Sequence, residues 1–129
     1  DEMFAQKMLG HSVDFIYDHD VVTLCAPCNG ELSVLYPTGH AFGLTMNNGV
    51  EILVHVGVNT VNANGKGFTL LSKRQGDRVK AGEPIIKVNI KALKKSYEMS
   101  TMLIITNAND QTMQFIKPQQ VRRGQKILV

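Results

Sequence analysis

The chain of 129 residues contains no apolar run approaching the ~20 residues that a membrane-spanning helix needs. Its opening stretch, DEMFAQKMLG, is polar and lacks a basic segment followed by an apolar one, so no secretory signal is expected there. Two cysteines are too few for a disulfide scaffold, and a reducing, cytoplasmic setting is expected. Aromatic residues make up 6% of the chain and are not interleaved with basic ones, so a base-stacking nucleic-acid surface is not indicated. Charged residues, at 19%, show no excess of the kind that keeps a chain disordered. The net charge of +3 is mild, and the small clusters at Lys91, Lys94, Lys95 and at Arg122, Arg123 read as solvated surface. What the chain does have is 43% hydrophobic residues, enough for one real core. A single domain over residues 1–129 is expected.

The stretch Thr38 to Val58, TGHAFGLTMNNGVEILVHVGV, reads as a hairpin turning at Asn47-Asn48-Gly49. It carries His40 before the turn and His55 after it. With a two-residue loop at Asn47-Asn48, His40 falls opposite His55. With the loop at Asn48-Gly49 it falls one diagonal step away. Both registers put the imidazoles on one face, because side chains alternate with period two. An odd loop, Met46 pairing with Val50, would separate them. Thr38 and Phe42 share the face of His40, and Leu53 shares that of His55. Ile52, Val54, Val56 and Val58 form the opposite, core-facing stripe. The histidines are therefore expected to point away from the core.

Around this hairpin the chain reads as short strands between turn signals. Residues 1–9 suggest a short helix ended by Gly10. Strands are expected over Val13–Tyr17, Val21–Cys25, Glu31–Leu35, Phe68–Leu71, Ile85–Val88, Met102–Thr106, Gln114–Ile116 and Lys126–Val129. Val61–Asn64 is read as continuing extended. A second short helix is expected over Ile90–Tyr97. The pattern V-x-x-G-x-x-I-[IL] occurs twice, from Val79 and again from Val121, and each copy reads as a Gly-bearing hammerhead turn with a returning strand. Ala26-Pro27-x-x-Gly30 suits the opening of such a unit. The fold class implied is all-β: an antiparallel β-sandwich or barrel with a duplicated motif and one or two short helices.

A lone histidine is usually an ordinary structural residue, and function needs geometry. Two on adjacent strands, sharing one face, are better candidates. One chemistry is phosphoryl transfer: a neutral imidazole is a nucleophile near pH 7, a second imidazole can donate to the phosphoryl oxygens, and the Thr38 hydroxyl can fix a tautomer. The other is a metal site, for which two histidines are too few without further ligands. Cys25-x-x-Cys28 has no partner pair to complete a zinc site and does not open a helix. It reads as two small residues at a strand end. His11 and His19 read as turn residues.

PTGHAFGLT, GVEILVHVGVNTV and NGKGF, flanked by FAQKMLG, CAPCNGEL, GDRVKAG, MLIITN and VRRGQKI, resemble the glucose-type enzyme IIA family of the bacterial phosphoenolpyruvate-dependent sugar phosphotransferase system. The phrasing is similar to the IIA domains of β-glucoside- and sucrose-type permeases. The resemblance implies that His55 accepts a phosphoryl group on Nε2 from the phosphohistidine of HPr and passes it to a cysteine of the IIB domain during sugar uptake. His40 would support that group and be needed for its donation, with Thr38 hydrogen-bonded in the site. Phe42, Leu53 and Val61 would form the apolar partner surface. No cofactor is required, but some members bind zinc through the same two residues, here His40 and His55, with a ligand from a partner. The location implied is cytoplasmic, at the inner membrane face where IIC is present. The resemblance also favours the Asn47-Asn48 register.

The chain departs from the family pattern in three places. Asn59 stands where the family usually has Asp, which removes a charge that could pair with an arginine of HPr and implies slower association. Gly10-His11-Ser12 replaces GDG or GKG. The family's N-terminal strand pair lies before the point at which this chain begins, which would leave a sheet edge to pair. Lysostaphin-type zinc hydrolases need H-x-x-x-D and H-x-H, neither of which occurs. Biotinyl or lipoyl carriers need a lysine at a hairpin tip, and the tip here is Asn-Asn-Gly. A regulatory protein that keeps the fold without efficient transfer is the alternative in the same family.

Overall fold

The structure is a computed structural model and describes residues 12–17, 19–111, 119–120 and 126. Nine strands are described: β1 (Ser12–Phe15), β2 (Val21–Cys25), β3 (Gly30–Leu35), β4 (Ala41–Thr45), β5 (Glu51–Val56), β6 (Phe68–Leu70), β7 (Arg78–Val79), β8 (Pro84–Asn89) and β9 (Thr101–Asn107). They form a six-stranded sheet in the order β1-β9-β5-β4-β3-β7 and a three-stranded sheet in the order β2-β8-β6. Every pairing is antiparallel. The expected all-β class is what the fold shows. The expected helix over residues 1–9, the strand over 114–116 and, apart from Lys126, the strand over 126–129 and the second repeat copy from Val121 lie outside the described residues, as does His11.

Two expectations fail locally. Val61–Asn64 does not stay extended, because a 3-10 turn occupies Thr60–Ala63. Asn59 and Asn64 flank it in the left-handed region, at φ 61° and 53°. Two such residues close together reverse an extended chain. The second helix is a single turn, α1 (Ile90–Leu93), started by the Asn89 side chain, which accepts from the Ala92 N–H at 3.0 Å. Only Ile90 and Leu93 of this turn are buried, too short an apolar face to carry the helix to Tyr97.

The core lies between the sheets. On β5, Ile52, Val54 and Val56 face it in strict alternation, as the pattern implied. Leu103 and Ile105 of β9 join them, with Ile85, Ile86 and Val88 of β8. The first copy of the repeat behaves as expected. Val79 is buried, and the turn at Gly82 clasps the Ala26–Gly30 turn through Gly82 N–H to the Ala26 carbonyl (2.8 Å) and Ala26 N–H to the Glu83 carbonyl (2.8 Å).

The β4–β5 register differs from both favoured alternatives. Ala41 pairs with His55, Phe42 with Val54 and Gly43 with Leu53. Met46 N–H donates to the Val50 carbonyl at 2.8 Å, and Gly49 N–H to the Met46 carbonyl at 2.9 Å. The loop is therefore the odd, three-residue one, Asn47-Asn48-Gly49, with Gly49 at φ 85°. This is the usual three-residue hairpin, a turn followed by a left-handed glycine. Its consequence for Phe42 is decisive: paired with Val54, Phe42 faces the core and is fully buried. It is no part of a partner surface. Nor is the other face of the sheet open to solvent, since Ala41, Met102 and Ile104 on it are buried.

Phe42→Ala should therefore cost about 3–5 kcal/mol of stability, the range for truncating a buried Phe. Urea denaturation measures this, and a loss below about 1 kcal/mol would return Phe42 to the surface.

Candidate functional site

Thr38, His40 and Tyr36 do not lie on the β4–β5 hairpin. They belong to the connection between β3 and β4, where Leu35 pairs with Phe42. Tyr36 N–H donates to the Ala41 carbonyl (3.2 Å), and the Tyr36 carbonyl accepts from Gly39 N–H (2.8 Å). Pro37 starts the turn and Gly39 ends it at φ 78°. A Cβ at Gly39 would meet the Phe68 Cβ of β6 at 2.7 Å, so the residue must be glycine on two counts. His40 follows immediately, one residue before β4, where the chain is leaving a turn and the strand pleat does not yet fix its side chain. Its carbonyl still accepts from Val56 N–H at 2.8 Å.

In this placement the His40 and His55 rings stand nearly perpendicular, at 78°, with centroids 5.5 Å apart. The two imidazoles meet despite the odd register. The Thr38 hydroxyl oxygen lies 2.6 Å from His40 Nδ1. If the hydroxyl donates, Nδ1 is the acceptor and the proton sits on Nε2. The Tyr36 ring packs against that of His40, with centroids 5.0 Å apart and planes tilted by 48°. His40 is only 6% exposed, whereas Tyr36 is 44% exposed. His55 is half-buried between Ala41 on β4 and Met102 on β9, with its Nδ1 shielded from solvent.

Burial holds His40 below the ordinary imidazole range, and charge on His55 beside it would push it lower still. Burial also lowers His55, and a hydrogen bond to the Gly57 backbone works against that. Both rings are therefore neutral at pH 7. A neutral imidazole can attack phosphorus, and a neutral neighbour with one N–H can donate to the incoming oxygens.

Of the expected partner surface, Val61 is 49% exposed on the 3-10 turn and Leu53 is half-buried. Asn59 is exposed, and its left-handed φ suits Asn and Asp alike. Tyr36 was not expected. Its sequence signal was Tyr-Pro-Thr-Gly itself, since a turn there folds Tyr36 back to Ala41. Cys25 and Cys28 are thiols outside any disulfide, and burial raises the Cys28 thiol, the opposite of an activated one. His19 is exposed in the turn before β2. Among the described residues no three His, Cys, Asp or Glu side chains gather as metal ligands. His40 and His55 supply two of the four donors that tetrahedral zinc needs, so the described residues alone do not fit the ion.

The model of the family described as phosphoenolpyruvate-dependent sugar phosphotransferase system, EIIA 1, matches residues 1–111. The chain belongs to that family. It is 40% identical to the glucose-specific EIIA component of Borreliella burgdorferi, over 85% of this chain and 57% of that protein. It is 33% identical to the glucose-specific EIICBA component of Staphylococcus carnosus, over 100% of this chain and 19% of that one. The chain thus spans less than two thirds of the length of these relatives. Among solved structures, the glucose permease IIA from Mycoplasma capricolum superposes with a TM-score of 0.85 at 34% identity, covering 99% of this chain and 82% of that one. This EIIA chain therefore has the family's antiparallel sandwich, and it is a component of the phosphotransferase class. Among its described residues no helix is long and apolar enough to cross a membrane.

The lowered imidazoles set a pH dependence. Between their folded values and the ordinary value of about 6.5, the unfolded chain binds more protons than the folded one. Stability from these groups is fully present above about pH 6.5 and is lost as pH falls through the folded values. Replacing both by glutamine should flatten the fall in urea midpoint between pH 7.5 and 5. An unchanged slope in the double variant would contradict the burial argument.

Proposed function

We propose that this EIIA domain is a phosphocarrier in which His55 receives a phosphoryl group from phospho-HPr and passes it to a cysteine of a IIB domain. The observation that carries the reading is the pair of neutral imidazoles, His40 buried and His55 half-buried, with ring centroids 5.5 Å apart and Thr38 bound to Nδ1 of the one that does not react. In the first step the lone pair of His55 Nε2 attacks phosphorus. A new N–P bond forms, the donor's N–P bond breaks, and its electron pair returns to the donor imidazole. Nε2 is the reacting atom because Nδ1 is shielded. In the second step a thiolate of IIB attacks phosphorus and the bond to His55 breaks. His40, its Nδ1 held by Thr38, directs an Nε2 proton at the phosphoryl oxygens, where negative charge must be matched in both steps.

The exposed residues that supply a docking rim in this reading are Val61 and Asn59, with Leu53 at its edge. HPr and IIB would use it in turn. IIB stands in the same polypeptide or apart, and the domain works in the cytoplasm, at the membrane where a IIC permease is attached. Zinc has no part in the transfer. A zinc ion bound by His40 and His55 would need its remaining donors from a partner and would block Nε2.

Incubation with phosphoenolpyruvate, enzyme I and HPr should give one acid-labile phosphate per chain, absent in His55→Ala. His40→Ala should still be labelled but pass the phosphate to IIB about 100-fold more slowly, the scale for losing one charge-stabilising donor. No label on the native chain, or label that survives His55→Ala, would end this reading.

A further inference from the structure

We propose that Tyr36 is a positioning residue for His40, one that sets the rate of the onward phosphoryl step; this rests on the phosphocarrier reading above. His40 lies in a turn-ended connection, not in a strand, so the pleat does not fix its ring. The Thr38 hydroxyl holds one atom, Nδ1, at 2.6 Å. A ring held at one edge can still swing about that point, and the atom that then moves most is Nε2, on the far side. Nε2 is the atom that must meet the phosphoryl oxygens. Holding it needs walls beside the ring, and two are present. One is His55, with its ring centroid 5.5 Å away. It changes size and charge each time it is phosphorylated, so it is not a constant wall. The other is Tyr36, at 5.0 Å, which takes no part in the chemistry.

Tyr36 is itself well anchored for this task. Its N–H and carbonyl are both used within the connection, by the Ala41 carbonyl and the Gly39 N–H. Its ring is rigid beyond two side-chain torsions, while its outer side remains open. The contact with His40 is made by the aromatic ring. A ring without the hydroxyl should therefore serve, and a flexible aliphatic side chain of similar bulk should not. Displacement of a charge-stabilising group by about 1 Å is enough to slow a transfer step considerably.

The test compares native protein, Tyr36→Phe and Tyr36→Leu. Each is charged with phosphoenolpyruvate, enzyme I and HPr, and the rate of acceptance is recorded. Transfer from the purified phosphoprotein to IIB is then followed as a function of IIB concentration. In Tyr36→Leu the ratio of the onward kcat to the acceptance rate should fall about 10-fold, the KM for IIB should move by less than about 2-fold, and Tyr36→Phe should restore the native ratio. Nitrogen NMR of the His40 ring should show the single tautomer of the native protein giving way to a mixture in Tyr36→Leu. A rise in KM for IIB with kcat unchanged would make Tyr36 a docking residue only and overturn the proposal. So would a native ratio in Tyr36→Leu, or failure of Tyr36→Phe to rescue. If the native chain takes no label at all, it is the phosphocarrier reading that fails.

Discussion

The close approach of Gly39 to Phe68 fixes where the chemistry can occur. Phe68 belongs to the three-stranded sheet, and Gly39 to a connection within the six-stranded one. Their contact leaves no room for a side chain, so the chain crosses at a left-handed glycine and leaves that turn aimed at the end of β5. Thr38 stands just before the crossing and His40 just after. The hydroxyl and the imidazole are therefore held at one place by the packing of two sheets, not by the hairpin that carries His55. The site is a junction: β5 supplies His55, the β3–β4 connection supplies His40, and Phe68 of the small sheet closes on the turn between Thr38 and His40.

This arrangement explains how the sequence reading reached the right neighbours by a wrong route. Strand parity brought His40 and His55 together only with an even loop. The loop is odd, because Asn47-Asn48-Gly49 places its glycine at the left-handed third position of the turn. Parity then separates the faces of His40 and His55, but His40 is not in the pleat that parity describes. The two departures cancel. They do not cancel for Phe42, which lies inside β4 and obeys the register, so it turns to the core. Alternation within β5, the buried run of β9 and the hammerhead turn at Gly82 were all legible, because each depends on local periodicity or a single glycine. The loop length was not, since Asn-Asn-Gly supports turns of two and three residues with the same letters. Tyr36 escaped for a related reason. Its partner is four residues away, across a turn whose shape depends on Phe68, far along the chain.

Asn59 also looks different against the fold. In the sequence it stood out as the loss of a charge. In the structure it starts the 3-10 turn from the left-handed region, at φ 61°. Asn and Asp are the non-glycine residues that tolerate this best, so the backbone limits the choice to a small set and does not by itself select the neutral member. What remains is electrostatic. The neighbouring exposed residues, Val61, Asn62 and Asn64, are uncharged as well. The 3-10 turn thus presents apolar and amide groups, with Lys66 as the next exposed charge along the chain.

The electrostatics of the two imidazoles follow from the same packing. Burial disfavours charge on both, and a charge on His55 would disfavour one on His40. In an empty site this keeps two neutral rings side by side, which suits a nucleophile and a donor. A phosphoryl group alters the balance, because its oxygens supply the negative charge that the site lacks. In the proposed transfer, a proton on His40 Nε2 would gain a strong acceptor once His55 is loaded. Where the Thr38 hydroxyl donates to Nδ1, Nε2 is the protonated nitrogen before the group arrives. In the proposed transfer, the junction that holds the rings close would also make His40 respond to the state of His55. The asymmetry of their roles rests on one hydroxyl, placed on one side of the pair.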